Sequence, residues 1–129
     1  MFVCISGAVS DGHAYVQQVA EKGAAAVIVE KDVEAPEGLT VIKVENTRYA
    51  LALTSAAYFG YPAEKLKVIG ITGTKGKTTT TYMVKSILEE VGIKVGLIGT
   101  IEAIIGDKSI PANNTTPESY TIRNIFQRW

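Results

Sequence analysis

Several things are scarce in this sequence, and each scarcity removes an explanation. One cysteine, Cys4, stands among 129 residues. No disulfide framework can form within the chain, and a lone thiol suits a reducing compartment. Cys4 sits in the apolar run "FVCI" and reads as a small buried hydrophobe rather than a reactive group. Charge of one sign is not in excess: 13 Lys plus Arg balance 13 Asp plus Glu. Such a chain has no long-range field to draw it to nucleic acid or to a membrane surface, so neither is expected as a partner. A small anion can still be held by local groups. No apolar run approaches the ~20 residues that cross a bilayer. The opening "MFVCISGAVSDGH" has neither the basic start nor the long apolar stretch of a signal peptide. Together these lead to the expectation of a cytoplasmic protein. A lone histidine, His13, is expected to be a surface or capping group rather than a catalyst.

What is present is globular: 47% hydrophobic and 20% charged residues. Strands are expected at Phe2 to Ser6, at "AAAVIVE" (Ala24 to Glu30) and at "TVIKVE" (Thr40 to Glu45). The second is continuously apolar, as in strands covered on both faces. Helical spacing runs over Ala14 to Lys22, closed by Gly23. A second helix is expected from a cap at Asn46 or Thr47 to about Phe59, with Leu51, Thr54, Ala57 and Tyr58 inward. "GYPAEKL" (Gly60 to Leu66) combines breakers and charges and is read as a boundary. Beyond it come a strand at Lys67 to Thr72 and a helix from about Lys77 to Val91, with Val84, Ile87, Leu88 and Val91 on one face. "KVGLIGT" (Lys94 to Thr100) and Ile101 to Ile105 read as strands, the latter turned at Gly106-Asp107. A final helix starts near Tyr120. Strand and helix alternate, so the expected class is α/β, with mostly parallel sheet in the second part. The chain opens directly in a strand and stops at "NIFQRW" inside a helical pattern, as expected of a piece of something longer.

The strongest chemical signal is "VIGITGTKGKTTTT" (Val68 to Thr81). A strand, then Gly73, Thr74, Lys75, Gly76, Lys77, Thr78 and Thr79, then a helix, is an arrangement for cradling phosphates. Glycines let successive backbone N–H groups face one concavity. The helix start adds unpaired N–H groups and roughly half a positive charge. Lys77 can reach β- and γ-phosphates, and the Thr78 hydroxyl can hold Mg²⁺. The general pattern GxxxxGK[ST] wants glycine where Ile71 stands, so this is the tighter variant GTxGKT. The alternative is a glycine turn that merely joins strand to helix. Thr80 and Thr81 are read as first-turn helix residues rather than ligands.

"IGITGTKGKTT" resembles the ATP loop of the Mur ligase family, ligases of peptidoglycan synthesis; cyanophycin and folylpolyglutamate synthetases carry similar loops. "FVCISGAVSDGHAYVQQVAEKGAAAVIVE" resembles the uridine-binding N-terminal domain found in the MurE and MurF types. "NNTTPES" resembles the substrate loop of the MurE type. The resemblance implies a small UDP-binding domain over residues 1–65, without its leading strand, and the first part of a P-loop-type ATP-binding domain over 66–129. It implies ATP and Mg²⁺ as cofactors. The substrates implied are UDP-MurNAc-dipeptide and a third amino acid, diaminopimelate or lysine. Lys77 would serve the γ-phosphoryl group and Thr78 the metal. Ala8, Val9 and Ser10 would lie against the uridine diphosphate, and Asn114, Thr115 and Thr116 against the UDP-muramyl part. Lys75 stands where many members have asparagine. Two simpler readings stay open: Asp11-Gly12 as a capping turn, and Asn114 to Pro117 as a helix cap. A MurF-type ligase and a stand-alone nucleotide-binding module are the alternatives. The chain by itself is expected to be inactive, and exposed sheet edges make self-association an expectation.

Overall fold

The computed structural model describes residues 1–112 and 116–128, and its contacts divide into two units, Met1–Thr54 and Ser55–Trp129.

The first unit is built on a parallel sheet in the order β1 (Phe2–Val3), β2 (Ala26–Val29), β3 (Thr40–Lys43). β1 is short by ladder pairing, but the Cys4 N–H still donates to the Ile28 carbonyl at 2.8 Å, so the strand runs one residue further in effect. Parallel strands cannot be joined by a hairpin. A crossover therefore follows β1: a 3-10 turn (Gly12–Tyr15) leading into α1 (Val16–Glu21). Gly23, with φ 84°, ends α1, and the N–H groups of Gly23 and Ala24 return to Ala20 and Val19. The core is Cys4, Val16, Val27 and Val29, with Phe2, Val19 and Leu39 packed at its edge. β2 is the buried strand, as its apolar run implies. β3 is exposed along its length. Gly12 has a specific reason to be glycine. A Cβ there would lie 2.7 Å from the Ile5 nitrogen, so the crossover could not settle onto β1.

α2 (Thr47–Tyr58) begins where the sequence places it. The Asn46 side chain accepts from the Tyr49 N–H at 2.8 Å and caps the helix. The inward face, however, is Thr47, Ser55, Ala56 and Phe59. Leu51 and Thr54 are only half-buried, Ala57 is exposed and Tyr58 is 76% exposed. Two of the buried positions are a threonine and a serine, and polar residues carry no hydrophobic signal.

In the second unit α3 (Lys77–Glu90) follows the glycine loop, and a three-stranded sheet comes after it. Its order is β4 (Leu97–Ile98), β5 (Glu102–Ile105), β6 (Lys108–Pro111), and both pairings are antiparallel. The expected mostly parallel sheet is not found among the described residues. Lys67 to Thr72 has no ladder partner there and is not a strand. Local pairing explains the difference. β5 and β6 meet across the two-residue turn Gly106-Asp107, which closes a hairpin without a crossover. The expected turn is therefore correct, and its consequence for sheet direction went unread. α4 (Ser119–Gln127) closes the unit, with Phe59 and Tyr120 rings 5.2 Å apart. Val84 and Leu88 on α3 are half-buried, whereas Ile87 and Val91 are 64% and 69% exposed. The apolar surface of α3 is wider than the face it packs.

Candidate functional site: the glycine loop and its helix

Gly76 occupies the N-cap of α3 with φ 77°, in the left-handed region that strains residues bearing a Cβ. That conformation lets the chain turn sharply from loop to helix. The N–H groups of Lys77, Thr78 and Thr79 open the helix and have no partner one turn back within it. The Gly76 carbonyl is used at once, accepting from the Thr80 N–H and the Thr80 hydroxyl, both at 2.9 Å. The Thr81 hydroxyl donates to the Thr78 carbonyl at 2.7 Å. Thr80 and Thr81 thus brace the first turn from within, as the sequence leads one to expect. Lys77 Nζ donates to the Gly73 carbonyl at 2.6 Å and folds back over its own loop. Gly73, Thr74, Lys75, Gly76 and Thr79 are exposed, and Lys77 and Thr78 are half-exposed.

These groups suit a polyphosphate. The loop presents an ammonium, a helix start and hydroxyls on one exposed surface. Thr78 is a hard oxygen donor at its rim. No cluster of three His, Cys, Asp or Glu able to hold a metal exists among the described residues. Mg²⁺ does not need one: it commonly takes one or two protein ligands and fills the rest of its shell with phosphate oxygens and water.

In the first unit Ala8, Val9 and Ser10 form an exposed turn, in which the Gly7 N–H donates to the Ser10 carbonyl at 2.9 Å. Val9 projects wholly into solvent. Asp11 does act as a cap, its Oδ1 accepting from the His13 N–H at 3.0 Å. The same oxygen lies 2.5 Å from His13 Nδ1, and Asp11 Oδ2 meets Lys31 Nζ at 2.6 Å. His13 Nε2 accepts from the Glu30 N–H at 3.1 Å, so Nδ1 must carry the ring proton it gives to Asp11. Both ring nitrogens are engaged, and the imidazole is a structural clamp. The Lys31 ammonium, then the His13 N–H and ring, hold the Asp11 carboxyl far below the usual carboxylate range. Glu30 is lowered too, by the Thr47 N–H, the Thr47 hydroxyl and Ser6. It bonds the Thr47 N–H and Oγ at 3.1 and 3.0 Å and so caps α2 from another element. Burial, and secondarily the nearby Asp11 charge, push the Cys4 thiol up, consistent with an inert residue.

Of the last group, Asn114 and Thr115 lie outside the described residues, and Thr116 is exposed just before α4. α4 itself is preceded by Glu118 as N-cap. Sequence reasoning missed two networks: Asp11, His13, Lys31, Glu30 and Thr47 in the first unit, and Tyr82, Glu102 and Ser109 in the second. Directly bonded partners in them are up to 20 residues apart, and no local pattern links them.

Residues 71–129, which contain the glycine loop and α3, match the Mur ligase middle domain. Over that segment the chain is similar to the Mur ligase family. Within that family it is similar to ligases named UDP-N-acetylmuramoyl-L-alanyl-D-glutamate–2,6-diaminopimelate ligase. It is 52% identical to the one from Clostridium perfringens over 126 residues, which is 98% of this chain and 26% of the relative. Identity is 48% with the Clostridium botulinum protein over 98% of this chain, and 48% with the Bacillus licheniformis protein over 99%. The chain thus spans about a quarter of the length of the curated relatives it matches.

Proposed function

We propose that this chain is the part of an ATP-dependent peptidoglycan ligase that carries the phosphate loop. The ligase would be of the MurE type, adding the third amino acid to UDP-MurNAc-L-Ala-D-Glu. The carrying observation is the exposed Gly73–Thr79 loop at the start of α3, inside a segment that matches the Mur ligase middle domain. The relatives' names favour 2,6-diaminopimelate as the amino acid. Residues 1–65 would be the UDP-binding domain and 66–129 the beginning of a P-loop-type ATP-binding domain. The setting would be the cytoplasm; no helix among the described residues is long and apolar enough to cross a membrane. Half-buried and exposed apolar surface on the second unit favours self-association of the chain in isolation.

In this reading the loop N–H groups and Lys77 bind the phosphates of ATP. Lys77 leaves the Gly73 carbonyl to meet the γ-phosphoryl oxygens, where charge accumulates as the group moves to the substrate carboxylate. Gly73, Thr74, Lys75, Gly76 and Thr79 line the cradle, and Lys75 adds a second positive charge. Mg²⁺, held by Thr78 and phosphate oxygens, would neutralise charge on the phosphates. Ala8, Val9 and Ser10, with Asn114, Thr115 and Thr116, would contact the UDP-muramyl substrate by short hydrogen-bonding groups and backbone.

Calorimetric titration of the chain with Mg-ATP, and separately with UDP-MurNAc-L-Ala-D-Glu, tests this reading. Mg-ATP should bind, and Lys77→Ala should weaken it at least about tenfold, the scale of one lost charge-assisted contact. Equal affinity of parent and variant, or no binding by the parent, would overturn the assignment of the loop.

A further inference from the structure

We propose that Tyr82 and Glu102 are a positioning pair that sets the orientation of α3 and therefore of the phosphate loop. This role rests on the ATP-cradle reading above. α3 has no fully buried side chain among the described residues. Its inner side borders a cleft of about 610 Å³, which Val84 and Leu88 line together with Leu97, Ile98, Ile104 and Ile125. Apolar packing across an open cleft is non-directional and fixes a helix loosely. A directional contact does better. The Tyr82 hydroxyl on α3 donates to Glu102 Oε1 on β5 at 2.5 Å. The other oxygen, Oε2, accepts from the Ser109 hydroxyl on β6. The carboxylate is thus fixed by the hairpin and in turn holds the helix.

The position of Tyr82 matters. It lies four residues after Thr78, on the same face one turn later. The Thr80 and Thr81 hydroxyl bonds tie the intervening turn together. A small rotation of α3 about its axis therefore carries Thr78, Lys77 and the loop N–H groups with it. Electrostatics favours the same tie: Glu102 raises the Tyr82 phenol, and Ser109 and Tyr82 lower the Glu102 carboxyl. A neutral donor and an ionised acceptor are the forms that make the strongest bond here. The pair contacts no phosphate in this account. Its effect on binding is through preorganisation, since a helix already aimed loses less freedom on binding.

The test uses this chain with Tyr82→Phe, Glu102→Ala and Glu102→Gln, each followed by amide hydrogen exchange and by Mg-ATP titration. Tyr82→Phe and Glu102→Ala should speed exchange of the Thr80 N–H more than that of Gly92 and Ile93 at the far end of α3. Both should weaken Mg-ATP about fivefold, as expected for lost preorganisation. Glu102→Gln keeps an acceptor for Tyr82 and an amide for the Ser109 oxygen, and should stay within about twofold of the parent. A merely structural contact would raise exchange evenly along α3, or not at all, and either result overturns the proposal. So does a localised rise in exchange with unchanged Mg-ATP affinity. Failure of the parent to bind Mg-ATP overturns the cradle reading itself, and the positioning role falls with it; the titration of the parent separates that case from the others.

Discussion

The two units use similar ingredients and finish them differently. In Met1–Thr54 a parallel sheet buries Val27 and Val29 almost completely, and Asp11, His13 and Glu30 each meet a partner on another element. In Ser55–Trp129 the sheet is antiparallel, α3 buries no side chain fully, and Val68, Ile69, Met83, Ile87 and Val91 are mostly exposed. The glycine loop sits in the looser unit. On the function proposed above, a loop that lets Lys77 move between the Gly73 carbonyl and a phosphate gains from a lightly packed support, because low local stability is where binding loops are drawn from. The first unit shows the opposite arrangement, in which His13 and Glu30 lock crossover, strand and helix to one another.

The sharpest way to break this contrast is to cut equal volume from both units. Val27→Ala should cost about 2 kcal/mol in urea unfolding followed by circular dichroism, because the methyl groups leave a closed core. Val84→Ala, beside the open cleft, should cost less than half as much. Equal losses would mean that the second unit is as tightly packed as the first.

A milder cut tests the polar locks. Thr47→Val keeps the shape of a residue that is 1% exposed and removes the hydroxyl that Glu30 accepts from. We expect a loss of about 1 kcal/mol in the same unfolding measurement, the usual size for a hydrogen bond whose partner retains other donors. No loss would show that the Thr47 N–H and Ser6 suffice for Glu30.

The smallest effect concerns acid. Asp11 and Glu30 have folded-state values below those of an unfolded chain. Each therefore favours folding above the ordinary carboxylate range, near pH 4, and loses that contribution as pH falls toward the depressed value. Urea midpoints taken from pH 5 down to pH 3 should fall. Asp11→Asn should flatten the dependence, and added salt should weaken it, since Asp11 and Lys31 are partly solvated. An unchanged slope in Asp11→Asn would remove the ion pair from the account of acid sensitivity.

Much of the fold was legible where one physical signal dominates. The apolar run Ala24 to Glu30 reads as a buried strand, Asn46 or Thr47 reads as a cap, Gly23 reads as a helix end, and Gly106-Asp107 reads as a turn. The turn from the glycine loop into α3 was legible because glycine, lysine and threonine occur there at fixed offsets. Other features depend on partners far along the chain. Whether Lys67 to Thr72 is a strand depends on what lies beside it, which its own residues do not encode. The inward face of α2 was misjudged because Thr47 and Ser55 are buried through hydrogen bonding and small size rather than hydrophobicity. Tyr82 gave no sign of its bond to Glu102, since a tyrosine on a helix with a glutamate 20 residues later is compatible with any fold.

Cys4 is wholly shielded, and its backbone N–H is bonded to Ile28. It is also the sole sulfhydryl of the chain. A thiol reagent can reach it only after the packing of the first unit opens, so the rate of its modification counts openings of that unit and is blind to local fraying of the second. The molecule carries its own clock for the half that does not hold the glycine loop.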